Sequence, residues 1–119
     1  INIIYYEIIN EDEYEDFYWI RENLKDYIDV NHTYNRAAIN PYKASPFTAI
    51  TRVNIVTSVL SPVYNKDLGE EMINFLKNNC TDTDFLEKYQ ISVIYGECAN
   101  SNLSKIHDKV YIYPGLFEK

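Results

Sequence analysis

The stretch FTAITRVNIVTSVL, residues 47–60, decides how the chain is read. β-Branched residues dominate it and neither Gly nor Pro interrupts it, the pattern of a long strand. One parity holds Phe47, Ala49, Thr51, Val53, Ile55, Thr57 and Val59. The other carries Arg52 and Asn54, which makes it the wetter of the two faces.

Upstream, residues 29–46 are polar and contain Pro41 and Pro46. Within them 33–40 reads as a short edge strand, and 41–46 as the turn that follows it. Residues 1–9 are apolar in both parities, which predicts a central strand covered on both faces. Between these strands the spacing predicts a helix over 11–28. Asn10 is its N-cap, Glu13 completes a capping box, and Ile9 and Tyr14 occupy the staple positions. Phe17, Ile20, Leu24 and Tyr27/Ile28 supply its buried stripe.

Downstream, Asp67 and Glu70 read as a second capping box opening a helix over 68–79. A short helical turn is expected at 84–89 and strands at 90–97 and 109–113, joined by an Asn/Ser-rich link over 99–108. The order is β-α-β-β-α-β-β. It implies one α+β domain over 1–119, with an antiparallel sheet of 4–5 strands and two main helices on one face. A ferredoxin-like arrangement is its simplest packing.

The 119 residues are 46% hydrophobic and 24% charged, with only three Gly and four Pro, a folding composition. No apolar run approaches the roughly 18 residues of a membrane span, and no secretory pattern opens the chain, so a cytoplasmic site is expected, the host's if the source is viral. Ile, Asn, Tyr, Lys and Phe are abundant while Gly, Ala, Pro and Arg are scarce, the signature of A/T-rich coding DNA and compatible with a mobile element. Cys80 and Cys98 lie 18 residues apart with no CxxC, which leaves no four-ligand metal site and reads as two free intracellular thiols.

Catalytic constellations are sparse. A tyrosine nuclease needs a His-hydrophobe-His pair, and His32 and His107 are isolated. A Cys/His nucleophile would pair Cys80 or Cys98 with His107, but Asp108 is its sequence neighbour and poorly placed to orient the ring. Asp82, Asp84, Glu87 and Lys88 loosely resemble an acid-plus-lysine nuclease pattern, yet read as caps and a helical turn. Three isolated glycines cannot form a phosphate cradle. No cofactor, metal or catalytic residue is therefore expected, and the chain reads as a binding module rather than an enzyme.

Charge location is more informative. The formal net charge is −7, and residues 7–30 carry all of it, with nine acids against two bases. On the predicted helix Asp12, Glu15, Asp16, Trp19, Glu22 and Asp26 recur at steps of three and four, so they share a column on the face sent to solvent. An exposed indole ringed by carboxylates suits a basic partner. The expected function is thus a small acidic protein-binding module, an inhibitor or nucleic-acid mimic of the anti-defence type. Its partner would be a basic-grooved protein that handles nucleic acid, with no direct contact to nucleic acid or membrane. Two alternatives stand beside it: a small enzyme or ligand-binding domain using the Arg52/Asn54 face, and a self-associating viral or accessory subunit, a homodimer in its simplest form.

Overall fold

The computed structural model describes residues 9–24 and 36–114, and its first helix begins where the N-terminal capping box predicts. The Asn10 side chain accepts the Glu13 N–H at 2.8 Å, and Glu13 Oε1 accepts the Asn10 N–H at 3.0 Å. Helix α1 runs over Glu11–Leu24, with Glu13, Phe17, Ile20 and Leu24 buried. Residues 1–8 of the strand expected over 1–9 and the helical extension over 25–28 lie outside the described residues, as does Asp26, while Ile9 is a buried bend.

Strand β1 is Arg36–Ala38, inside the expected 33–40 segment but not at an edge. It pairs in parallel with β2, Asn54–Ile55, on one side and with β3, Ile91–Tyr95, on the other. Ala37 and Ala38 are almost fully buried, as an interior parallel strand requires.

The 47–60 strand does not form. Helix α2 occupies Ala44–Thr51, and only Asn54–Ile55 of the stretch is β. Two effects outweigh β propensity. Pro46 sits in the first helical turn, where its missing N–H costs no helical bond. Ala44, Phe47 and Thr51 are buried at helical 3-4 spacing. The threonines then close the helix: Thr51 Oγ1 donates to the Phe47 carbonyl and accepts the Val53 N–H, while Thr48 Oγ1 donates to the Val53 carbonyl. Arg52 ends it in the left-handed region at φ 68°.

Helix α3, Lys66–Lys77, starts before the expected position because Asn65, not Asp67, is the cap; its side chain accepts the Asp67 and Leu68 N–H groups. Helix α4, Thr83–Lys88, is capped by Asp82. Strand β4, Ser104–His107, arises within the segment expected to be a link, and pairs antiparallel with β5, Val110–Ile112. Its outer residues are exposed, so it lacks the alternating apolar pattern that would betray a strand. Strand β5 also pairs antiparallel with β3.

The sheet order is β2-β1-β3-β5-β4, mixed rather than purely antiparallel. The ferredoxin-like order is not confirmed by these pairings. Nor do the helices share one face. One apolar cluster joins Phe17 and Ile20 of α1 and Phe47 of α2 to Ala37, Val93 and Tyr95. A second joins Met72 and Phe75 of α3 and Phe85 and Leu86 of α4 to Ala38, Ile91 and Ile94. Successive residues Ala37 and Ala38 point into different clusters, as strand geometry demands, so the protein is a mixed α+β fold with helices on both faces.

Cys80 and Cys98 are joined in a disulfide, not free. The turn after α3 and the segment after β3 bring their Cα atoms to 5.0 Å, and the Ala99 N–H to Asn79 carbonyl bond holds the segments together. Among the described residues no helix is long and apolar enough to cross a membrane.

Candidate functional site

The orientation of α1 follows from what its capping box does a second time. Glu13 Oε2 accepts the Lys43 ammonium, so the Glu13 carboxylate is buried yet compensated. Burying Glu13 with Phe17, Ile20 and Leu24 fixes the core-facing stripe. At 100° per residue the stripe opposite it is Glu11, Glu15, Tyr18 and Glu22.

This splits the expected column. Asp12, Glu15 and Glu22 are exposed. Asp16 and Trp19 instead turn along the flank toward β3 and β4. The Asp16 carboxylate accepts the Tyr95 hydroxyl at 2.6 Å and lies 3.7 Å from His107 Nε2. Trp19 stacks on the His107 ring, with centroids 4.2 Å apart and planes 7° from parallel. The indole is partly buried and packs against the core, so the expectation of an indole standing in solvent is corrected.

The exposed aromatics on this helix are Tyr18, at 49%, and Tyr14, at 51%. The sequence predicts neither as a site residue and assigns Tyr14 to the hydrophobic staple. The buried stripe Phe17, Ile20 and Leu24 is the predicted one and Glu13 lies on the same line; at 100° per residue the point opposite it falls between Glu15 and Glu22, closer to Tyr18 than to Asp16. Among the described residues Glu22 makes an ion pair with Arg21 alone, at 4.0 Å between half-exposed side chains, a contact that neutralises little. The outer face of α1 is therefore an open acidic stripe with tyrosine rings set into it.

Behind this face the packing is rigid. Phe17 meets Phe47 and Tyr95 edge-on, each pair with centroids 5.0 Å apart. Burial, and then the hydrogen bond to the Asp16 carboxylate, push the Tyr95 hydroxyl far above its ordinary pKa, so it remains a donor.

The other expected chemistries meet specific obstacles. Arg52 is the C-cap of α2 and Asn54 opens β2, so the two do not share the long strand face assigned to them. With both cysteines bonded to each other, a thiolate nucleophile paired with His107 is not formed. Asp82 caps α4, Glu87 accepts the Tyr113 hydroxyl at 2.9 Å, and Lys88 lies over the Tyr89 ring. No group of three or more metal-ligating side chains is found among the described residues. His32 lies outside them.

Comparison with protein-family models, with curated proteins and with solved structures finds no match to this chain.

Proposed function

We propose that the protein is a non-enzymatic acidic binding module that presents the outer face of α1 to a basic surface on a protein partner. One observation carries the reading: Glu11, Glu15 and Glu22 lie on the solvent stripe opposite the core, with the half-exposed Tyr18 ring among them. Asp12 adds a further carboxylate beside that stripe. Successive acids stand about 6 Å and about 10 Å apart along the axis, from the helical rise. A charged ladder of this kind complements lysines and arginines that otherwise hold phosphates. The tyrosine supplies apolar area at low entropic cost.

The partner class that fits is a protein with a basic groove for nucleic acid, which this module would occupy as a mimic and inhibitor. Nucleic acid itself is disfavoured as a ligand by the −7 net charge. Self-association through this face is disfavoured because it would set acid against acid. The proposed site of action is the cytoplasm, the host's if the source is viral, which requires that the Cys80–Cys98 disulfide resist cytosolic reduction.

The test is a photoreactive amino acid placed at Tyr18. Irradiation in a lysate of the source cells is expected to cross-link one basic protein, and raising the salt before irradiation to abolish the adduct. An adduct insensitive to salt, or one formed equally from position 70 on α3, contradicts the proposal.

A further inference from the structure

The sheet contains a feature that the acidic face does not use. From β1 the chain crosses to β2 on one side, then returns past β1 to β3 on the other. The connections leaving the carboxyl ends of β1 and β3 therefore diverge, and a crevice opens between them. In sheets of this kind that switch point is where ligands bind, because the loops part there and leave backbone and side chains facing an unfilled space. The described residues show such a space: a groove of about 220 Å3 lined by Asn40 and Lys43 after β1 and by Gly96 and Glu97 after β3.

Its charges are unevenly satisfied. Lys43 is neutralised by the buried Glu13 carboxylate. Lys109, half-buried in the β4–β5 turn, also lines the groove and makes no ion pair among the described residues. Its backbone has φ 61° and its carbonyl accepts the Gly96 N–H at 2.9 Å, so the turn itself is anchored beside the groove. Among the described residues lining the groove, Lys109 is thus without a counter-charge beside the neutral Lys43–Glu13 pair, and the remaining carboxylate, Glu97, is on an exposed residue.

We propose that this groove binds a small anion, a carboxylate or phosphate, with Lys109 as its principal contact. The inference stands apart from the proposed role of α1. A partly buried lysine with no ion pair gains strongly from a charge-assisted hydrogen bond to an anion.

The experiment follows backbone amide shifts of Asn40 and Gly96 during titration of the whole chain with sodium phosphate, sodium acetate and, as a charge control, methylammonium chloride at matched ionic strength. Saturable shifts with phosphate or acetate below about 50 mM are expected, and the tighter of the two identifies the anion type. Lys109→Met should weaken the affinity about tenfold, and Lys109→Arg should restore most of it. Glu97→Gln, on an exposed side chain, should tighten it a few-fold, which provides a reading even should Lys109→Met fail to fold. Absence of saturation with both anions, equal response to methylammonium, or affinity unchanged in both Lys109→Met and Glu97→Gln would overturn the proposal.

Discussion

Trp19 and His107 stack face to face across the gap between α1 and β4, 4.2 Å between ring centroids. This contact ties the acidic helix to the edge of the sheet, and Asp16 reinforces it from one turn earlier through Tyr95 and His107. The indole thus serves as a clamp, and the recognition surface lies on the stripe beside it.

A double-mutant cycle measures the clamp. Trp19→Ala and His107→Ala should each destabilise the fold in urea, with a coupling of about 1 kcal/mol between them, the range for aromatic pairs. Strict additivity would show that the stack contributes nothing beyond buried area.

The Glu13–Lys43 pair predicts an ordering of stabilities. Lys43→Met leaves a buried carboxylate without its counter-charge and should cost about 2 kcal/mol, less than for a fully buried pair because Lys43 is one-third exposed. Glu13→Gln keeps the capping acceptor and should cost less. The double variant should recover part of the Lys43→Met loss. Chemical denaturation of the three variants decides it, and Lys43→Met matching the wild type would refute the compensation.

These two contacts mark where sequence reading succeeded and where it failed. The α1 start was legible because a capping box is local: Asn10 and Glu13 satisfy each other whatever surrounds them. What Glu13 does next was not, since Lys43 arrives from 30 residues away. Residues 47–60 misled for a related reason. Thr48 and Thr51 disfavour a helix by themselves, but become its terminating hydrogen bonds once Phe47 is buried against Phe17 and Arg52 turns left-handed. Strand β4 was hidden because an edge strand with exposed Ser104 and Lys105 has no apolar rhythm. The acidic helix was legible as a charge pattern, whereas Asp16 of the expected column stands about 110° from the point opposite Phe17, Ile20 and Leu24 and so turns to the flank.

Cys80 and Cys98 close a loop of 18 residues. Reduction, or the double Cys→Ser variant, should lower stability by about 3 kcal/mol, the loop-closure value for this length. Thiol titration of the denatured, unreduced protein should find no reactive thiol. Two equivalents of free thiol would contradict the bond.

Alkaline pH should reveal Tyr95. Its pKa is raised in the fold, first by burial and then by the hydrogen bond to Asp16, so the folded state holds a proton that the unfolded state releases near pH 10. The resulting stability is fully present below that pH and declines as pH rises above it. Absorbance of tyrosinate should show a late class that appears only on unfolding. Asp16→Asn should bring that late class forward. A single transition for all tyrosines would contradict the buried hydroxyl.

The outer stripe of α1 is tested most directly by a charge swap balanced against a control. One variant combines Glu15→Lys, Tyr18→Ala and Glu22→Lys; the control places the same two charge reversals at Glu70 and Glu71, exposed positions on α3. Capture of the cross-linked partner is then quantified at about 0.1 M salt, where exposed charges still act over roughly 10 Å. The account predicts that the α1 variant loses capture while the control retains it. Equal capture by both, or equal loss from both, would contradict the assignment of recognition to this helix.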